Sequence, residues 1–509
     1  MRVSGTGPLP ADWFVCGKNS GRDEDSAGVP FAPKGATGKE IRRFFDGDEL
    51  PPFDEVFRRN IYREYGGKDY DYTDEDFARD EPELLDELQR CQPSFIVAVG
   101  ADAARYFLGN EVTLDEVHGL PWYLPIESRA ASAQVGTRKG NKGHNRSVVV
   151  FTTYHPAAGF RSPEASALVT YDFGQLAAFA AGELKPRILY DDPIPSPEYF
   201  HVKTPSVIQT FDALGTVKLC EDSEGWAHKP WSLQFSARPG TGYLIKATDT
   251  EIVRAYLDYL TRRKVSATFH NSLHDRSIRR AFARLCGWSE ERILFELDAL
   301  PFDDTMVMAY LLQLEPQGLK GLATRHANMA MKSYDEVMGG AQGKLAMEYL
   351  QSMWDTLNFD YEVDQRQVFE QINLTPLIDK KTGKPRRNKD GTLRTRRTSV
   401  LPKIPKSDLF KATERCMRAK HPAKLWADQR EDIRDAGYRT LGDMPQATLS
   451  HVDFPTALHY GCRDADATVR VEPEVSARIE AMGLREVYQL EIGTYPLIDR
   501  MMSVGMKPN

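Results

Sequence analysis

Apolar and polar positions follow two different periods along the chain, and each change of period marks an element. Trp13-Phe-Val-Cys16, Ser94-Phe-Ile-Val-Ala-Val-Gly100 and Ser147-Val-Val-Val-Phe-Thr-Thr153 are short, nearly continuous apolar runs. Strands buried on both faces of a sheet carry this pattern. Glu83–Arg90, Ala101–Leu108 and a stretch from Thr37 repeat apolar residues at helical spacing. Strands alternating with helices predict an α/β domain over residues 1–190, with ligands bound at the carboxyl ends of its strands.

Tyr190-Asp-Asp-Pro-Ile-Pro-Ser-Pro-Glu198 is proline-rich and aperiodic, which predicts a linker over 191–208. Beyond it, Val217–Cys220, Trp231–Ser236 and Gly242–Lys246 read as strands of a meander. Thr250–Arg263 has helical period, Val265–His270 reads as a further strand, and a helix runs through Tyr310-Leu-Leu312. Leu458–Asp466 and the residues from Glu472 onward are helical. A second α/β domain with a mixed sheet is expected over 209–480, followed by a helical segment over 481–509.

Composition narrows the chemistry. With 509 residues the chain is too long for one core. A formal charge of −7 supplies no general attraction to nucleic acid, so any DNA contact needs a local basic patch. The insertion 374–406 is such a patch: Asp379–Arg397 is dense in Lys and Arg around an Asp-Gly turn signal. Lys384, Arg386, Arg387, Arg394, Arg396 and Arg397 are its candidate DNA contacts. Six scattered cysteines without a C-x-x-C pair argue against zinc, an iron–sulfur cluster or disulfides. The amino terminus lacks a signal-peptide core, and no apolar run reaches the roughly 18–20 residues of a membrane helix. A cytoplasmic protein without a membrane partner is expected.

Asp222 and Glu224 stand one residue apart at the end of the Val217–Cys220 strand. Alternation puts them on one face, where both grip one cation. Asp275 follows the Val265–His270 strand after Asn271, the latter a candidate DNA contact. Tyr460 and Asp464 are four apart in a helical run and share a face, whereas Asp466 points elsewhere. Asp303 and Asp304 open a helix, and Asp304 reads as its N-cap rather than as a ligand. Four carboxylates suit a pair of hard cations, Mg2+ or Mn2+, without Cys or His.

The ordered set Asp222, Glu224, Asp275, Tyr460 and Asp464 resembles the DEDD 3′–5′ exonucleases of the tyrosine subclass, whose fold is RNase H-like. The resemblance implies that Asp222 bridges two metals while Glu224 and Asp464 complete the tighter site. It further implies that Asp275 acts on the second metal through waters and that Tyr460 orients the attacking water. Tyr488–Asn509 resembles the segment joining exonuclease to polymerase in family A DNA polymerases. The implied role is proofreading in DNA replication, in a phage and hence in the host cytoplasm. The implied partners are a single-stranded 3′ end, a primer–template, and a polymerase domain or subunit in trans. A stand-alone DNA or RNA exonuclease is the alternative.

The first domain has its own resemblance. The Gly17–Gly21 loop, Pro30-Phe31, Asn60 within Arg58–Tyr62, the Pro93–Gly100 strand and Tyr154-His-Pro156 resemble the uracil-DNA glycosylase superfamily over about residues 12–180, chiefly its iron–sulfur branch. Its fold is an α/β/α sandwich. The resemblance implies that Phe31 stacks on a flipped base, Asn60 reads its edge and His155 stabilises the departing anion. The sequence departs from that family in two places. The first loop has Lys18 or Asn19 where the family carries a water-positioning carboxylate or Asn, and the cluster cysteines are missing. A domain that binds DNA without excising a base is expected. The alternative is an active uracil or modified-base glycosylase fused to the exonuclease.

Overall fold

In a computed structural model of the chain, the described residues are 2–47, 49–67, 70–133, 144–395, 401, 403–435 and 445–504. The first sheet has the order β2-β1-β3-β5-β4. Its strands are β1 (Trp13–Asn19), β2 (Phe57–Tyr62), β3 (Phe95–Val99), β4 (Pro121–Pro125) and β5 (His144–Thr153). All pair in parallel except β4, which lies antiparallel on β5. The helices are α1 (Arg22–Ala27), α2 (Ala36–Phe45), α3 (Asp74–Cys91), α4 (Ala101–Leu108), α5 (Leu114–Val117), α6 (Pro156–Gly159) and α7 (Pro163–Ala180).

Alternate residues of these strands enter two different cores. Phe14, Ile96 and Val150 pack with Leu84, Leu88 and Phe107, whereas Val15, Val97 and Phe151 pack with Ile41, Phe45 and Phe173. Burial on both faces is why these strands read as unbroken apolar runs. β2 lacks that pattern because its buried side chains include charges. Arg59 is fully buried, ion-paired with Glu87 and bonded to the Asp80 carbonyl at 3.0 Å. β1 also extends to Asn19, so Gly17 and Lys18 belong to a strand rather than to the expected loop.

The second sheet is mixed, in the order β11-β10-β7-β8-β9-β6. β7 (Lys218–Trp226), β8 (Lys229–Ser236) and β9 (Thr241–Lys246) form the expected antiparallel meander. β10 (Ser266–Phe269) and β11 (Phe302–Asp304) add in parallel beside β7. At the other edge, β6 (Glu198–His201) pairs in parallel with β9 and is followed by α8 (Ser206–Ala213). Glu198–His201, within the stretch 191–208 expected as a linker, therefore already belongs to this sheet; four residues among prolines are too few to display a period. The helices that follow are α9 (Thr250–Arg263), α10 (Ser272–Leu285), α11 (Glu290–Arg292), α12 (Thr305–Leu312) and α13 (Leu319–Leu322).

Both sheets belong to one compact unit, Met1–Lys332 with Leu458–Asn509, and Ser333–Ala457 forms a second. Between the sheets, Arg325 Nη1 donates to the His118 carbonyl at 2.7 Å. Arg187 Nη1 donates to the Arg325 carbonyl at 2.7 Å, and Asn328 Nδ2 to the Ile188 carbonyl at 2.8 Å. The second unit is larger than the expected insertion 374–406. Its 41-residue helix α14 (Tyr334–Leu374) packs with α15 (Asp408–Met417) and α16 (Pro422–Asp435) around Leu350, Leu409, Cys416 and Trp426. Ser333 and Glu336 cap α14 reciprocally, which fixes where it starts. The chain ends in α17 (Phe454–Ala481) and α18 (Arg485–Val504). Among the described residues no helix is long and apolar enough to cross a membrane. The six cysteines are buried and free.

Candidate active sites

Along β7, Asp222 and Glu224 take one face while Glu221 and Ser223 take the other. Glu221 is buried and held by the Tyr256 hydroxyl at 2.6 Å and Arg279 Nη1 at 3.2 Å. α17 crosses the Asp222 face, where Gln234 lies in register with Asp222. Two glycines allow this approach. A Cβ on Gly461 would stand 2.6 Å from Gln234 Nε2, and one on Gly242 would stand 2.6 Å from Cys462 Cβ. Asp466 anchors the helix: it accepts from Gly240 N–H at 2.7 Å and the Tyr199 hydroxyl at 2.9 Å, and pairs with Arg470 at 2.6 Å. With Asp466 turned to that role, Asp464 turns toward the strand. Ligand oxygens of Asp222, Glu224 and Asp464 then lie within 4.8 Å of one another.

Among the described residues, Asp222 Oδ2 is buried without a hydrogen-bond partner. Burial, and then the charges of Asp275, Asp464 and Glu224, push Asp222 well above the usual carboxylate range. Burial and the charges of Asp464 and Asp275 do the same to Glu224. Burial raises Asp464 to about 7 against the opposing charge of Arg463. Crowded carboxylates with an unmatched buried oxygen are what a hard cation with oxygen ligands requires. The donor set therefore fits a divalent metal.

Asp275 stands in the first turn of α10, on the Ser223 side of β7, and accepts the Ser223 hydroxyl at 2.6 Å. It lies outside the three-carboxylate group, although its charge bears on Asp222 more than that of any other carboxylate. Tyr460 is half-buried one turn before Asp464 on α17. Asp304 is fully buried and caps α12, accepting from Met306 N–H at 2.9 Å. It also accepts from Ser272 N–H at 2.7 Å, so the capping assignment holds. Asn271 is exposed at φ 81° where α10 begins. In the second unit Lys384, Arg386, Arg387 and Arg394 are exposed on a short β-arm with bridges Ile378–Pro385 and Arg387–Leu393. Arg396 and Arg397 lie outside the described residues.

In the first domain the implied pocket residues gather at the carboxyl ends of the parallel strands. Gly17 on β1 is in register with Asn60 on β2. A Cβ on Gly17 would lie 2.5 Å from Asn60 Oδ1 and 3.2 Å from Phe31 Cζ, so glycine is what lets these side chains meet. Sequence reasoning missed Glu24. Its carboxylate accepts from Gly21 N–H at 2.5 Å, Phe31 N–H at 2.5 Å and Asn60 Nδ2 at 3.2 Å. Burial nevertheless raises its pKa. The available signal was its place three residues after Gly21 at a helix start.

His155 follows β5 at the same edge, beyond β3, and its Nδ1 accepts Ala157 N–H at 3.2 Å. Burial, helped by Arg161, lowers it to about 4, so the imidazole is neutral near pH 7. Beneath it, Asp172 accepts Tyr154 N–H at 2.6 Å and meets His118 Nδ1 at 2.6 Å. Lys18 is paired with Asp102 at 3.4 Å, and Asn19 Nδ2 donates to the Ser20 carbonyl at 3.0 Å.

Solved structures with a partial likeness include Brucella melitensis NrnC with bound Mg2+. Its TM-score is 0.30 at 12% identity, covering 61% of this chain and 94% of that one. The catalytic core of RRP6 from Trypanosoma brucei scores 0.21 at 12% identity, covering 29% of this chain and 40% of that one. At such scores only the site's own geometry speaks for the chemistry of the second sheet. The Type-4 uracil-DNA glycosylase of Sulfurisphaera tokodaii is 24% identical over 182 residues, 35% of this chain and 74% of that protein. Residues 4–172 match the Uracil DNA glycosylase superfamily. The amino-terminal third of the chain is thus a uracil-DNA-glycosylase-like domain.

Proposed function

We propose that the chain is a 3′–5′ exodeoxyribonuclease, the proofreading part of a family A DNA polymerase of a phage, built on an RNase H-like second domain. The observation that carries this reading is the convergence of Asp222, Glu224 and Asp464 around an unmatched buried oxygen. Asp222, Glu224 and Asp464, with Asp275 from the Ser223 side, would hold a pair of Mg2+ or Mn2+ ions, which when bound would supply activation of water and stabilisation of the leaving 3′ oxygen. Tyr460 orients water rather than acting as a full base, since a free phenol titrates near about 10. Asn271 and the cations Lys384, Arg386, Arg387, Arg394, Arg396 and Arg397 contact the strand. A polymerase domain or subunit is the partner that consumes the corrected primer end.

Single-stranded DNA labelled at its 5′ end, given Mg2+ or Mn2+, is expected to shorten from its 3′ end. Asp222→Ala is expected to stop this; retained shortening would remove the reading. The first domain, in this proposal, holds DNA without excising a base, because Lys18 is engaged by Asp102 where a water-positioning group is needed. The match over residues 4–172 favours a second reading, an active glycosylase. Alkali-labile breaks in a uracil-containing strand after treatment would establish it over the first.

A further inference from the structure

Two separate tethers run from α18 to the helix that carries Asp275. The Tyr488 hydroxyl donates to Asp303 Oδ1 at 2.9 Å and accepts Asp304 N–H at 2.8 Å. Asp304 in turn accepts the backbone N–H groups of Ser272 at 2.7 Å and Asn271 at 3.2 Å. Those residues open α10, about one turn before Asp275. Further along α18, Asp499 Oδ2 accepts from Arg276 Nε at 3.0 Å and Arg280 Nη2 at 2.6 Å. Arg276 directly follows Asp275 and is fully buried, its guanidinium 4.1 Å over the Phe302 ring.

The geometry points to Tyr488 and Asp499 as positioning residues for the carboxylate site: α18 holds the first turns of α10, and so keeps Asp275 against Ser223 and beside Asp222. The inference rests on the exonuclease reading and adds a point at which that activity is controlled. Neither residue belongs to the three-carboxylate group. They act through α10. Without Asp499, Arg280 keeps the Asp298 carboxylate at 2.9 Å, but the fully buried Arg276 loses its carboxylate partner, and an uncompensated buried guanidinium drives that part of α10 away from its seat. Without the Tyr488 hydroxyl, Asp304 N–H loses its acceptor, and the turn that Asp304 ties together loosens. Both changes displace Asp275 while leaving Asp222, Glu224 and Asp464 on β7 and α17.

The test compares Tyr488→Phe and Asp499→Asn in the full chain, with 5′-labelled single-stranded DNA and a range of Mn2+. The expected result is a turnover loss of about tenfold and a rise of about fivefold in the Mn2+ needed, with KM for DNA little changed. Asp499→Glu is expected to restore most of the loss. In an Asp275→Asn background, neither substitution is expected to lower the residual single-turnover rate or the Mn2+ affinity further, because Asp275 is the residue they act through. A further drop by the full factor in that background would overturn the inference, as would wild-type turnover and Mn2+ dependence in both single variants. If Asp499→Asn does not fold, Tyr488→Phe, which removes one hydroxyl, decides by the same cycle. Mn2+ binding followed by its paramagnetic resonance signal separates the two levels. A wild-type chain that neither binds Mn2+ nor cleaves removes the exonuclease reading as well. A wild type that does both, beside an indistinguishable Tyr488→Phe, removes only the role of α18.

Discussion

The two candidate sites of the first unit treat their polar groups in opposite ways. In the glycosylase-like pocket, Glu24 is matched by three donors, Lys18 by Asp102 and His155 by the Ala157 N–H. Midway along β7, which continues past Glu224 to Trp226, three carboxylates crowd together, and among the described residues one buried oxygen has no donor. A site whose polar groups satisfy each other is ready for a neutral ligand such as a base. One with unmatched like charge is incomplete without a cation. The contrast teaches that chemical readiness shows in what a site leaves unmatched, not only in which residue types it contains.

Four changes put that contrast at risk. Asp222→Asn carries the largest expected effect: exonuclease activity falls by about a thousandfold, on the scale of losing an essential charge group. The same substitution is expected to raise the melting temperature of the metal-free protein, because it relieves like-charge crowding. A lower metal-free melting temperature would break the picture of a frustrated site. Next comes Gly461→Ala, whose added Cβ meets Gln234 and shifts α17 with Asp464. A displacement of that kind costs about a hundredfold in turnover, read in the same cleavage assay; an unchanged rate would mean that α17 does not set the geometry.

In the pocket the sign reverses. Glu24→Gln places an amide N–H against backbone donors, so it is expected to destabilise residues 17–31 by about 1–3 kcal/mol. Faster hydrogen exchange at Gly21 and Phe31 would report this, and unaltered exchange would sink it. The most gradual effect is on pH. The folded-state value of Asp464, raised to about 7, lies above its unfolded value of about 4. The folded metal-free protein thus binds the proton more tightly. Its contribution to stability is full below about 4 and is lost as pH rises to about 7. Mn2+ is expected to reverse that slope, since it displaces the proton. Melting curves across this range, with chelator and with Mn2+, check it.

Much of both sites was legible because local periodicity is a local property. Asp222 and Glu224 share a face by strand alternation, and Tyr460 with Asp464 by helical spacing; neither relation needs a distant partner. Glu24 escaped notice because acidic residues at a helix start are common and its three donors come from separate segments. β6 escaped because four residues carry no period, and β2 because its buried arginines are paired rather than absent. The basic arm was visible as composition, whereas the helices α14–α16 that accompany it were not anticipated.

The chain's own order of residues determined the donor types: carboxylates without Cys or His partners, a set that fits a hard divalent cation, together with a glycine and asparagine in the first domain. Tertiary structure decided which of them meet. Asp464 reaches β7 because Gly242 and Gly461 let α17 lie close and Asp466 locks it there, across more than two hundred residues of sequence. Asp275 came to the Ser223 side, on a helix whose Arg276 pairs with Asp499 of α18. Convergence of this kind depends on close packing between distant segments, which no local period encodes.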